Sequence, residues 1–458
     1  MKWRNKAAAA LSAVGLGLAG VVAVATPASA APLDLSNFQL RPNAYGEDLQ
    51  RRADDIPMVK ASVTDIMNNL NRTRKDDTTN PGPAVSDGAA CNSNGIDPAK
   101  APKIVRSICF NNGDAETEEW FPQGVTTVAD MQGDQKWGDS PQQILVSWYD
   151  KDKTEGVKGV RISFVSRATG AYRHVLLVYP QNSANGVTYE SIRVSQDPAT
   201  GNPFNTSLHA GGILWYGNYL FVADTARGFR VFDMRRIYDL GASGNGNATD
   251  ATRLGLEGDT YYAKGYRYVM PQVGSWTRTN SSGEGSDPTC TMRDGSPQFS
   301  YVSLDRSGAN DLIAGEWCTG TEDTNGRVAV WPMARAFKAD GDLVMDPDYR
   351  WNAEAAYWLP ESNVQGATRF KGRWYLSRSD GITRPGWLTI TKPVTSSTGT
   401  LEADTRKPLG YGPEDLSHWP GGGETTPTLG EMWTVGEHPG EDSAGNGPSR
   451  RMLYAVSP

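Results

Sequence analysis

Residues able to do chemistry recur at five places in the chain. Pro122-Gln123-Gly124, Leu208-His209-Ala210, Pro297-Gln298-Phe299, Val364-Gln365-Gly366 and Pro413-Glu414-Asp415 each set an amide, imidazole or carboxylate just ahead of a short apolar run. A second set of acids, Asp150, Asp224, Glu316, Asp380 and Glu437, closes a following run, each shortly before a glycine turn. In an antiparallel pair the start of the first strand lies beside the end of the second, so both sets should gather at one end of their sheets. Gln123, His209, Gln298, Gln365 and Glu414 would then crowd an axis, inside a wider ring of acids that includes Asp224 and Glu316. Amides and carboxylates exchange hydrogen bonds with hydroxyl-bearing ligands, and an imidazole can bond, ligate a metal or move a proton. The structural alternative is that strand-end acids bond their own turns, while Gln or His at a channel mouth holds backbone groups or water. His209 is one of four histidines. His418 and His438, beside Trp419 and Glu437, either line the same funnel or sit on a surface loop; His174, inside YRHVLLV, reads as an ordinary strand residue.

The elements that must position these residues are seen most clearly from Leu208 to Met234. GGILWYG, NYLFVAD and FRVFDM are aromatic and β-branched runs parted by Gly217-Asn218 and by Thr225-Ala226-Arg227-Gly228, the pattern of an antiparallel meander. The outline recurs. GVTTVADM, QQILVSWYD, GVRISFVS and YRHVLLVYP form a set before it; YRYVMPQVGSW completes its own. PQFSYVSLD, DLIAGEW and RVAVWPM follow, with EAAYWLP as a further candidate strand. Then come GATRFKG, RWYLSRSD, GWLTITKP and TLEADTR. The last set, DLSHWP, GEMWTVGE and RRMLYAVS, is one strand short. Lys103 to Phe110, KIVRSICF, is a candidate to complete it and so remove an exposed edge.

This recurrence resembles the β-propeller repeat pattern, in the manner of secreted bacterial repeat proteins, over about three quarters of the chain. The resemblance is one of architecture, and no WD, kelch or Asp-box signature accompanies it. It implies an all-β, five-bladed β-propeller over residues 104–458, closed by an N-terminal strand and preceded by an N-terminal helix and arm over residues 31–103. A β-sandwich with long loops is the alternative. The helix is expected from Pro57, where Val59, Val63, Ile66, Met67 and Leu70 share one face for about four turns, with Asp54 and Asp55 as caps.

The chain begins MKWRNK, continues in an Ala/Gly/Val/Leu run to Ala25 and reaches Ala28-Ser29-Ala30, which reads as a secretory signal peptide over residues 1–30. Its removal takes away three cations and turns a formal charge of −7 into −10. An acidic chain without a basic cluster is a poor partner for nucleic acid, and nothing after the leader is apolar enough to hold a membrane. Secretion sets Cys91, Cys109, Cys290 and Cys318 in an oxidising compartment, where two disulfides are expected. Three pairings are possible; Cys91 with Cys109 and Cys290 with Cys318 closes the shortest loops. A zinc site would want a C-x-x-C or a nearby His pair, and neither is present.

No nucleophile elbow, H-E-x-x-H, phosphate loop or dinucleotide fingerprint occurs. No cofactor is implied; a calcium ion on the axis near His209 or Glu414 is compatible with the residues but has no motif. Trp148, Trp215, Trp331, Trp374 and Trp387 lie within strands, whereas Trp276, Trp317, Trp351, Trp419 and Trp433 lie nearer strand ends, where an exposed ring can stack on a sugar. These features favour a lectin-like carbohydrate-binding protein, or one recognising another extracellular partner, through the channel face. The alternative is an extracellular polysaccharide hydrolase or lyase. By analogy with five-bladed glycoside hydrolases of the arabinanase type, Asp130, Asp224 and Glu316 are its acids. Gln123-Gly124 and Gln365-Gly366 are also similar to the Gln-Gly starts of propeller glutaminyl cyclases, over two residues each.

Overall fold

The computed structural model describes residues 32–76, 82–151, 157–193, 208–225, 227–279, 290, 297–320, 325–423 and 425–458. The expected signal peptide lies outside them. The fold is all-β with a few short helices, and no helix among the described residues is long and apolar enough to cross a membrane.

Five antiparallel ladders carry the chain. The first runs Trp120–Thr127, Gln143–Asp150, Val160–Ser166 and Tyr172–Ser183, with Gly186–Ser191 added outside. The second runs Ile213–Tyr216, Tyr219–Asp224, Gly228–Asp233 and Tyr268–Arg278. Tyr268–Arg278 also pairs in parallel with Tyr172–Ser183, fusing the outer edges of these two ladders into one sheet. The third runs Tyr301–Asp305, Asp311–Gly315, Arg327–Pro332 and Ala355–Trp358. The fourth runs Val364–Phe370, Arg373–Arg378, Pro385–Thr391 and Ala403–Tyr411. In the fifth, Ser417–Gly421, Thr428–Val435 and Leu453–Val456 are completed by Ile104–Ile108, which places Leu453 opposite Ile108. The C-terminal strand is therefore paired with a strand from near the N-terminus.

The first strands of the ladders meet around one axis, and glycines let them approach. A Cβ on Gly124 would lie 2.7 Å from the Ile213 nitrogen, and one on Gly366 2.6 Å from the Leu416 nitrogen. Gly212 packs in the same way against Tyr301 and Val302. Hydrogen bonds join the remaining neighbours: the Ser303 hydroxyl donates to the Ala367 carbonyl, and the Val125 N–H donates to Asp415 at 3.3 Å. Between the ladders the core is aromatic, with Trp148, Trp215, Trp276, Trp331, Trp351, Trp374 and Trp433 fully buried. Burial of rings of this size is a leading stabilising contribution.

The N-terminal region departs from its expectation. The helix is Gly46–Asp54, with Glu47 and Asp48 in its first turn, Arg51 and Arg52 in its last, and Leu49 and Ala53 buried. That charge order suits the helix dipole, and the i, i+4 apolar pair supplies the packed face. Asp54 and Asp55 end this helix rather than starting one. Lys60–Ala61 pairs as a strand with Ile237–Asp239. The expected four turns shrink to Val63–Met67, because the reciprocal Ser62–Asp65 capping box sets the start there. The arm that follows is pinned by the Cys91–Cys109 disulfide to the end of the closing strand, and Cys290 pairs with Cys318.

Candidate functional site

Gln123 and Gln365 sit at irregularities of their strands, since the pairing register shifts between Pro122 and Val125 and between Val364 and Gly366. Such bulges re-aim a side chain out of the ladder. Both glutamines turn to glutamates of the fifth ladder: Gln123 Nε2 donates to Glu437 Oε2 at 2.8 Å, and Gln365 Nε2 donates to Glu414 Oε1 at 3.1 Å. Glu414 and Glu437 flank the Pro413–Gly436 bridge, so they stand side by side at one end of their ladder. Burial, then the nearby charges of Glu437 and Asp415, push the Glu414 carboxyl well above the usual carboxylate range. Burial also raises Glu437, against the pull of Gln123, Arg451 and Lys151. Neutral carboxyls both donate and accept hydrogen bonds.

Tyr149, at the end of the second strand of the first ladder, lies close enough to Glu437 and Glu414 that burial and both acids suppress ionisation of its hydroxyl. Its ring lies against the His209 imidazole, with centroids 4.6 Å apart. His209 is exposed to solvent although much protein lies around it. Desolvation pushes its pKa down to about 4, a depression that solvent contact moderates. Four of the ladders thus bring Gln123, Tyr149, His209, Gln365, Glu414 and Glu437 to one place. Tyr149 had no signal of its own in the sequence, and its position depends on packing between ladders.

The other residues singled out from sequence are placed differently. Glu316 accepts from the N–H groups of Gln298 and Arg327 at 3.0 and 2.8 Å and from Arg327 Nε and Nη2 at 2.9 and 2.7 Å. Asp224 accepts from Arg230 Nε at 2.7 Å. Both are buried ion pairs within their own ladders. Asp130 accepts from Thr126 and Ser417 hydroxyls and from Thr127 N–H, tying the first ladder to the fifth. Asp130, Asp224 and Glu316 therefore each serve separate structural bonds. Gln298 is buried, with its Nε2 unpartnered among the described residues. His418 packs edge-on against Phe370 with centroids 5.0 Å apart, and burial lowers its pKa to about 4. That ring belongs to the core between the fourth and fifth ladders. Asp380 pairs with Arg378 at 2.9 Å and Asp150 accepts from Lys158 N–H at 2.6 Å.

Asp415 accepts from the N–H groups of Val125 and Ile213 at 3.3 and 3.2 Å, joining three ladders. Burial pushes it well above the usual range. Among the described residues no group of three or more His, Cys, Asp or Glu side chains could hold a metal ion.

His174 is part of a network rather than an ordinary strand residue. Trp148 Nε1 donates to Ser163 Oγ at 2.8 Å, Ser163 Oγ is 2.9 Å from His174 Nδ1, and His174 Nε2 is 3.2 Å from Asp114. Burial, with Arg161 beside it, pushes His174 down to about 4, so the neutral ring donates from Nε2 to Asp114. Desolvation opposes the charge on Asp114, yet its surroundings hold it well below the usual range. With His174 neutral, the cations responsible are Arg161 and Arg72, at 2.7 and 3.3 Å. The order Ser–His–Asp is that of an acyl-transfer triad, but Ser163 is completely buried, and a nucleophile must reach its substrate. The network is a sealed polar core.

No family model matches the chain, and no curated protein matches its sequence. Among solved structures, RS223 β-xylosidase aligns over 78% of this chain and 94% of its own at 10% identity, with a TM-score of 0.30. A GH43_1 enzyme from Xanthomonas citri aligns over 75% and 88% at 10% identity and a TM-score of 0.29. Hydrazine synthase from Kuenenia stuttgartiensis aligns over 70% and 74% at 13% identity and a TM-score of 0.28. At TM-scores this low, neither the fold nor the chemistry of those proteins transfers to this chain.

Proposed function

We propose that this is a secreted five-bladed β-propeller whose channel mouth binds neutral carbohydrate, with residues 31–103 as an N-terminal segment and 104–458 as the propeller. The five ladders and the pairing of Leu453–Val456 with Ile104–Ile108 support the propeller; the two disulfides suit an oxidising compartment. The observation that carries the binding role is the convergence of the Gln123–Glu437 and Gln365–Glu414 pairs beside His209. Burial favours the protonated form of both carboxyls, and Gln365 and Glu437 keep some exposure, so each pair would let a ligand hydroxyl donate to one member and accept from the other. Asp224 and Glu316, held by arginines, keep the ladders in place. Gln298 and His418, both buried, have packing roles.

The test is binding of residues 31–458 to an oligosaccharide array, with and without chelator, beside Gln365→Ala. Specific binding that the substitution weakens supports the reading. Silence of the wild type across neutral glycans contradicts it. Loss of signal with chelator would add a calcium ion to the site.

One observation favours glycoside hydrolysis as a second reading. Burial, then the charge of Glu437, holds the Glu414 carboxyl well above the usual carboxylate range, and a carboxyl kept protonated beside a second acid is what acid/base cleavage requires. Glu414 would then protonate the leaving oxygen and Glu437 would act as base. Release of reducing ends from polysaccharide, abolished in Glu437→Gln, would establish it.

A further inference from the structure

Trp317 stands apart from the other tryptophans. It is 40% exposed, whereas every other described tryptophan is buried or half-buried. Trp276, Trp351 and Trp433, which sequence position had placed beside it as stacking candidates, are sealed in the core. Trp419 is half-buried, with its Nε1 donating to Gln135 at 2.8 Å and its ring under Arg167.

A single exposed apolar residue is ordinary by itself, but the setting of Trp317 is not that of a mobile loop tip. Its N–H donates to Ser300 Oγ at 3.0 Å, the Cys290 sulfur lies 3.3 Å from its carbonyl oxygen, and the next residue, Cys318, is bound to Cys290. The backbone is thus fixed on both sides of the ring. The Ser300 carbonyl lies where a Cβ on Gly211 would go, and the His209 ring borders the same space, two residues away. Trp317 follows Glu316, whose carboxylate holds the N–H of Gln298, and the buried Gln298 side chain has an Nε2 unpartnered among the described residues. The exposed indole of Trp317 is thus carried on a fixed backbone that leads through Ser300 and Gly211 to His209.

We propose that Trp317 is the stacking platform of the channel mouth and that the ligand is a neutral oligosaccharide built of pyranose rings. A pyranose chair has an apolar C–H face that packs on the electron-rich face of an indole, and a hydroxyl edge for amide and carboxyl groups. A small ion or polyol would use the amides and carboxyls but leave the indole idle. The inference rests on the reading of the mouth as a carbohydrate site.

The test is calorimetric titration of cellohexaose, xylohexaose and the furanose arabinohexaose into the wild type, Trp317→Ala, Trp317→Phe and Gln365→Ala. Expected is binding of at least one pyranose hexamer, weakened about tenfold by Trp317→Ala and less by Trp317→Phe. The wild-type Trp emission should shift to the blue on binding and the Trp317→Ala emission should not. Equal affinity of wild type and Trp317→Ala for a pyranose hexamer, or binding of arabinohexaose alone, overturns the platform while leaving the mouth intact, as Gln365→Ala would show. Absence of binding by the wild type to all three overturns the carbohydrate reading and the platform with it. The melting temperatures of both Trp317 variants check that the changes are local.

Discussion

Replacing Glu316 by Gln separates an acid that holds the fold from one that could meet a ligand. Glu316 and Arg327 expose only 2% and 4% of their side chains, and the carboxylate takes four hydrogen bonds, two of them from the guanidinium. Gln keeps the volume but presents an N–H group to other donors and leaves the guanidinium buried without its charge partner. Breaking a buried pair in this way costs about 3–5 kcal/mol. With about 2 °C per kcal/mol in a chain of this size, the melting temperature should fall by roughly 6–10 °C. The assay is thermal unfolding followed by near-ultraviolet circular dichroism at pH 7, repeated at high salt. Because the pair is buried, the loss should persist when salt screens surface charges. Exchanging both partners, Glu316→Leu with Arg327→Met, should recover most of the loss, since no unpaired charge remains. A melting temperature within about 2 °C of the wild type, together with loss of ligand binding, would refute the reasoning and return Glu316 to the functional acids.

Glu414→Gln tests the sign of the strained carboxyl. Its pKa is higher in the folded protein than its ordinary value of 4.5, so the native state binds the extra proton and stability falls as pH rises above that value. The variant should therefore melt above the wild type at pH 7–8 and match it near pH 4, and a variant that melts lower at pH 8 would contradict the assignment. Gly366→Ala should cost about 1–3 kcal/mol in denaturant titration, because the new methyl meets the Leu416 nitrogen and Asp415 Cα at 2.6 and 2.8 Å. The double change Cys91→Ser and Cys109→Ser opens a loop of separation 18 and should lower stability by about 3 kcal/mol, while reductant should have no further effect at that pair. His209→Ala should weaken ligand binding and leave the melting temperature within a few degrees, since the exposed ring gives up little more than its contact with Tyr149; unfolding of the variant with ligand affinity unchanged in the folded fraction would make the residue structural.

The strands were legible in the sequence because alternating, aromatic-rich runs parted by glycine turns have few other solutions, and even Ile104–Ile108 could be assigned to the last ladder from a missing partner. The polar residues at the ladder starts were legible for the same reason. Their partners were not. Gln123 reaches Glu437 across 314 positions of sequence, and only the closing of the ladders around an axis brings them together. The helix was misplaced because an apolar face at helical spacing from Val59 to Leu70 competed with the Ser62–Asp65 cap and with strand pairing at Lys60–Ala61, both of which depend on neighbours. Tryptophans at strand ends looked alike until packing buried Trp276, Trp351 and Trp433 and left Trp317 exposed. The Asp114–His174 network was hidden because its members come from three strands and a short helical turn, Asn112–Ala115.

The amide–carboxyl pairs beside His209 are the groups proposed to bind a hydroxyl-rich ligand. The most direct measurement is the affinity of one array-selected neutral oligosaccharide for the wild type, Gln123→Ala and Gln365→Ala, with melting temperatures recorded alongside. Both substitutions should weaken binding about tenfold, the loss of one hydrogen bond each, while the fold persists. Unchanged affinity in both folded variants would contradict it.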